Sequence, residues 1–129
     1  MAVTSTILYP NTPGKNFDLK YYLNTHMPLT EKIWGPLGLT SWRVVEFKAG
    51  ADGGPPPYRL KTETMWESRE KLDAAVTNEQ TSAIFGDVAN FTDETWIEIR
   101  YQFQYLRSPA EGSLCSFEDE VLEFISMPA

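Results

Sequence analysis

His26 is the only histidine in the 129-residue chain. It stands in the run Phe17-Asp18-Leu19-Lys20-Tyr21-Tyr22-Leu23-Asn24-Thr25-His26-Met27-Pro28-Leu29. An imidazole titrates near neutral pH, so it can take or give a proton under ordinary conditions. At helical spacing Leu19, Tyr22, Leu23 and His26 fall at i, i+3, i+4 and i+7 and form one inward stripe, on which Tyr22 and His26 can touch. A lone imidazole on such a stripe is either a packed core residue, satisfied by a backbone carbonyl or by Tyr22, or the proton-transfer group of a pocket.

The elements that must position it follow from the surrounding pattern. Val3 to Tyr9 is rich in β-branched residues and stops at Pro10-Asn11-Thr12-Pro13-Gly14, so it reads as a strand. Asp18 is placed to cap the helix that carries His26. Pro28 removes a backbone donor and disfavours helical geometry at Met27, which predicts a kinked or two-part helix with His26 just before the kink and an end at Gly35-Pro36. Leu39 to Ala49 alternates as a strand, Gly50 to Pro57 is a long exposed hairpin connection, and Tyr58 to Trp66 is the returning strand. Ser68 caps a second helix with Leu72, Ala75 and Val76 inward, and Thr81 to Asn90 is a shorter helical piece.

Glu94 to Tyr105 is an explicit strand, with Ile97, Ile99 and Tyr101 on one side and Trp96, Glu98 and Arg100 on the other. The order strand, helix, strand, strand, helix, strand is the ferredoxin-like βαββαβ arrangement of an α+β domain, an antiparallel sheet with helices on one face. On this reading Tyr58, Leu60, Trp66 and Trp96 lie on a face without helices and form an apolar patch suited to a partner subunit. The domain spans residues 1–106, and residues 107–129 form an acidic tail. In that tail Ser108 to Gly112 reads as a linker, and Phe117, Val121 and Ile125 predict a short amphipathic helix over Phe117 to Ile125.

Composition narrows the function. Eleven basic against eighteen acidic residues give a net charge of −7, which repels nucleic-acid phosphates and anionic membrane surfaces. No run approaches the ~20 apolar residues of a membrane span, and the beginning of the chain lacks the pattern of a signal peptide, so a soluble, cytoplasmic protein is expected. The single cysteine, Cys115, cannot form an internal disulfide. One histidine and scattered carboxylates provide no metal-ligand spacing, so neither metal nor cofactor is expected.

Tyr9-Pro10, the Phe17 to Leu29 segment, Trp34-Gly35-Pro36-Leu37-Gly38-Leu39 and Asp87-Val88-Ala89-Asn90-Phe91-Thr92, taken together, resemble the EthD family over Val3 to about Tyr105. The resemblance implies a dimeric α+β barrel, in which the sheets of two ferredoxin-like subunits pack together and each subunit keeps a pocket between sheet and helices. It implies that the family's recurrent His and Asp correspond to His26 and Asp87. The family's name comes from an accessory role beside an ether-degrading monooxygenase system, and fold alone does not settle the reaction.

On that frame Asp87 is the natural orienting partner of His26, or else it caps a turn through its own backbone. Asn90 either bonds a substrate carbonyl or ends its helical piece as a C-cap. Tyr22, Trp34, Phe47, Trp66, Phe85 and Phe91 either fill the core or line a cavity for a planar ligand. The leading expectation is a small homodimeric tailoring enzyme that acts on an aromatic or polyketide-like molecule by cofactor-free cyclisation, isomerisation, dehydration or decarboxylation. A non-catalytic accessory or ligand-binding protein is the rival, and an oxygenase comes third.

Overall fold

Val3–Pro10 forms strand β1 in a computed structural model that describes residues 2–102, 105–108, 113–116 and 123–126. The helical segment opens with α1 (Leu19–Tyr21), where the Asp18 carboxylate accepts the Tyr21 N–H at 3.0 Å. It widens into a π-turn over Tyr22–His26, in which the Met27 N–H reaches the Tyr22 carbonyl, and continues as α2 (Met27–Trp34). The irregularity falls where Pro28 forbids a regular bond to the residue four positions back. The interruption expected before Pro28 is therefore a π-turn.

The π-turn also corrects the inward stripe. Tyr22, His26, Met27, Thr30 and Trp34 are buried, whereas Leu23 is turned out and is 37% exposed. A wider turn advances the chain less per residue, so positions that would share a face in a regular helix separate.

A 3₁₀ turn over Gly35–Leu37 leads to Gly38, whose φ of 121° is open to glycine and strained for other residues, and a Cβ there would also meet Lys71 at 2.8 Å. Strands β2 (Leu39–Glu46) and β3 (Tyr58–Trp66) follow, joined by the glycine- and proline-rich connection. Helix α3 (Arg69–Val76) is capped by the Ser68 hydroxyl, which accepts from the Lys71 N–H at 3.2 Å. Helix α4 (Thr81–Asp87), a 3₁₀ turn over Val88–Asn90 and strand β4 (Ile97–Arg100) complete the βαββαβ order. Strands β5 (Tyr105–Ser108) and β6 (Ser113–Ser116) form a separate pair, and β7 (Glu123–Ser126) joins the edge of β4. The main sheet runs β2-β3-β1-β4-β7 with every pairing antiparallel.

Register fixes the two faces of the sheet. Val3 lies opposite Trp66, Ser5 opposite Thr64, Ile7 opposite Thr62 and Tyr9 opposite Leu60, so these residues share a face. That face is the one the helices cover: Trp34 packs on Trp66 with ring centroids 5.2 Å apart, and Phe85 packs on Trp96 at 5.7 Å. The expectation that Leu60, Trp66 and Trp96 sit on a helix-free face is thus overturned, and with it the apolar patch argued from them. Alternation in a strand says which residues share a side; it does not say which side the helices take.

Two further expectations change. Strand β4 ends at Arg100 because Tyr101 adopts a left-handed φ of 57°, which swings its ring into the core under Arg69, 4.2 Å away. The tail helix expected over Phe117 to Ile125 is contradicted at its C-terminal end, where Glu123–Ser126 pairs as β7. The rest of that stretch, residues 117–122, lies outside the described residues. The covered face holds two core clusters, one around Trp34, Trp66 and Leu72 and one around Tyr9, Tyr22, Leu60 and Phe91.

Candidate functional site

The second cluster is where His26 lies. The residue is 4% exposed, and its ring is held on three sides by groups from separate elements. Tyr22, one turn earlier, stacks on it at 5.3 Å with 16° between the planes. Phe91, just past the 3₁₀ turn, packs on it at 4.6 Å and is tilted by 59°. Asp87, the last residue of α4, brings its Oδ2 to 2.9 Å from His26 Nδ1. The hydroxyl of Thr30 donates to the His26 carbonyl at 3.0 Å, tying down the end of the π-turn.

Asp87 is itself held in place. Its Oδ1 accepts the Tyr21 hydroxyl at 2.7 Å and the Asn90 side-chain amide at 2.9 Å. Burial works against its charge, but the hydrogen bonds from Asn90, His26 and Tyr21 outweigh that and keep the carboxyl below its ordinary value. For His26 burial is the larger influence and pushes the imidazole pKa down, with the attraction of Asp87 opposing it in part. A neutral imidazole facing a carboxylate keeps its proton on Nδ1, and its lone pair is then on Nε2. Among the described residues nothing hydrogen-bonds Nε2.

His26 is also part of the wall of a mostly apolar cavity between sheet and helices. Ile7, Tyr9 and Thr62 belong to its sheet side, and Tyr22, Met27 and Phe85 belong to its helical side. About 30 Å³ is open to the centre of a water molecule, room for roughly two waters.

The residues singled out in the sequence fall into three groups. Tyr22, His26, Trp34 and Phe85 line the cavity. Asp87, Asn90 and Phe91 support the ring from behind: Asp87 bonds it, Asn90 bonds Asp87, and Phe91 packs on it. Phe47 and Trp66 are not in the cavity. Phe47 falls in register with Arg43 and Val45, on the other side of β2 from Trp42 and Val44, and lines a separate cleft with Pro56 and Pro57. Trp66 is fully buried in the neighbouring cluster, its indole N–H donating to Thr64 at 2.9 Å.

Tyr21, Tyr9 and Thr62 are not among the site candidates that the sequence offers. Tyr21 and Tyr22 are adjacent in sequence, and a helical stripe accounts for one of them; only the bond to Asp87 gives the other a place. Tyr9 and Thr62 follow from strand alternation once the covered face is known. Among the described residues no group of three or more His, Cys, Asp or Glu side chains is arranged to hold a metal ion. No helix among them is long and apolar enough to cross a membrane.

No family model matches the chain, nor does any curated protein. Solved structures do. An EthD-like protein of Ralstonia eutropha shares 32% identity, with 72% of this chain and 83% of that one covered and a TM-score of 0.65. An ethyl tert-butyl ether D (EthD) family protein of Bacillus halodurans shares 25% identity over 74% of this chain and 96% of its own, with a TM-score of 0.54. A protein of Arabidopsis thaliana, at 10% identity and a TM-score of 0.59 over 82% of this chain and 99% of its own, shares the fold alone. On the strength of the Ralstonia match, whose sequence identity extends over most of both chains, this protein belongs to the EthD family.

Proposed function

We propose that the His26–Asp87 pair is the general acid–base group of a cofactor-free enzyme that acts on a small, uncharged, ring-like molecule, isomerising, cyclising, dehydrating or decarboxylating it. The observation that carries this reading is the division of labour on one imidazole: Nδ1 is occupied by a carboxylate at 2.9 Å, and the ring forms part of the wall of an apolar cavity. A buried histidine kept only for packing has no use for a charged partner that is itself held by two further donors. Apolar walls favour a neutral ligand, because a phosphate or carboxylate would lose its hydration, and among the described residues no cation lines the cavity to replace it. A ring-sized ligand is larger than the present void, and Met27 and Phe85 are the side chains whose rotamers would open it. Two subunits packed through their sheets complete the arrangement implied for the family.

The test is His26→Ala, assayed against a panel of enolisable and phenolic compounds by product formation. Loss of a general acid–base group lowers turnover by roughly 10²–10⁴-fold. Turnover that survives the substitution removes the reading. The small size of the void favours a second reading, in which the protein binds a ligand without converting it. Ligand-induced stabilisation with no product, the same in wild type and His26→Ala, is its signature.

A further inference from the structure

We infer that the hydroxyls of Tyr9, Tyr22 and Thr62 form a binding site for one ligand oxygen, and that the ligand is therefore a small neutral ketone or enone with a hydrogen on the carbon beside its carbonyl. The inference rests on the reading of His26 as a base and adds to it a substrate class. Tyr22 Oη lies 2.6 Å from Thr62 Oγ1, and either atom can donate. The Tyr9 ring packs edge-on against that of Tyr22, with centroids 5.9 Å apart. All three residues belong to the wall of the cavity that contains His26.

A count of protons shows why these hydroxyls differ from the others there. Thr30 gives its proton to the His26 carbonyl at 3.0 Å, and Thr64 gives its own to the Ser5 carbonyl at 3.2 Å. Each of those ends on backbone. Tyr22 and Thr62 hold two O–H protons and the bond between them uses one, which leaves at least one hydroxyl proton to offer to an acceptor. The two phenols keep their protons: burial holds both pKa values above the usual tyrosine value. A neutral donor suits a carbonyl oxygen, and among the described residues no Lys or Arg lines the cavity, which disfavours a carboxylate.

The step balances without a co-reactant. His26 Nε2 takes the α-hydrogen: the C–H bond breaks, an N–H bond forms, the C–H electron pair becomes the new C=C bond, and the carbonyl π pair moves onto oxygen. A free O–H of these hydroxyls meets the charge that develops there. Return of the proton from Nε2 to the same carbon, or to a conjugated one, regenerates the imidazole and exchanges or isomerises the ketone.

The experiment uses the full chain with cyclohexanone, cyclohexane and acetate as probes in D2O. Ligand-observed NMR reads binding, and loss of the cyclohexanone α-hydrogen signals reads exchange. Cyclohexanone is expected to bind about tenfold more tightly than cyclohexane, the scale of one neutral hydrogen bond, and acetate is expected not to bind. Tyr9→Phe and Thr62→Val each remove an oxygen with little change of shape, and each should reduce the ketone preference about tenfold while the His26 titration stays in place. Equal binding of ketone and alkane, binding of neither, or a preference that both variants retain overturns the oxygen site. A preference with no exchange leaves that site standing and removes the base; exchange that survives both hydroxyl variants does the reverse.

Discussion

The two halves of the helix-covered core are built from similar residues and differ in where their hydrogen bonds end. Around Trp34 and Trp66 each chain closes on backbone. The Trp34 indole donates to Thr81, whose hydroxyl donates to the Ala75 carbonyl, and the Trp66 indole donates to Thr64, whose hydroxyl donates to the Ser5 carbonyl. Around Tyr22 and His26 the bonds run inward from Asp87 to His26 and between Tyr22 and Thr62, and at least one proton acceptor, Nε2, has no partner among the described residues. Aromatic content does not separate the two regions, since both are rich in rings. What separates a structural core from a candidate site is unused hydrogen-bonding capacity beside a void, which a core ordinarily lacks.

The largest expected effect tests the closed half. Trp66→Ala should lower unfolding stability by about 3–5 kcal/mol, because it empties a fully buried site in contact with Trp34. Urea denaturation measures it. A loss below about 1 kcal/mol would mean that this cluster is not the solid counterpart described above. His26→Ala should be milder in the same assay, since the side chain removed is smaller and already borders a cavity, so fewer packing contacts are lost.

Asp87→Asn gives the next largest effect and sharpens the open half. Proton transfer should fall roughly ten- to hundredfold, the rate equivalent of the 1–3 kcal/mol attached to one partner of a buried polar pair. The pH dependence has a definite sign. The folded pKa of His26 is below its ordinary value, so folding favours the neutral ring; that contribution is present above about pH 6.5 and is lost as pH falls through the folded pKa. Removing the carboxylate leaves burial unopposed and moves the midpoint further down. The NMR titration is unambiguous, because the chain has one histidine. A midpoint that rises in Asp87→Asn would show that the pair is not coupled as the geometry requires.

How much of this was legible in the sequence depends on the range of the interaction. Contacts within one helical turn were readable: Asp18 as a cap, Ser68 as a cap, and Tyr22 against His26. So was strand periodicity, which correctly grouped Leu60, Thr62, Thr64 and Trp66 on one side of β3. Periodicity carries no sign, however, so the same alternation fits either face, and the helices cover the one expected to be bare. The Asp87–His26 bond joins residues 61 positions apart, and residue spacing alone left Asp87 divided between pocket and turn; the family resemblance pointed to the pair. Phe47 and Trp66 are cavity candidates in the sequence only because they are aromatic, and aromatic character does not distinguish a filled core from a lined void.

The smallest expected effect comes from the π-turn, and it tests whether the two halves really meet there. A regular helix through this segment would put Leu23 on the inward stripe with Tyr22 and His26, and a lysine at that position would then bury an unpaired charge. With the π-turn Leu23 is turned to solvent, so Leu23→Lys should alter stability by no more than about 0.5 kcal/mol. Thermal melts of the two proteins decide between these geometries. A loss of several kcal/mol would mean that the segment winds as an ordinary helix, and such winding would rotate the Tyr22 hydroxyl and the His26 ring relative to each other. The stacking at 5.3 Å and the reach of Tyr22 to Thr62 both depend on the wider turn, so the least disruptive substitution in the set is the one that tests the frame on which the open half is built.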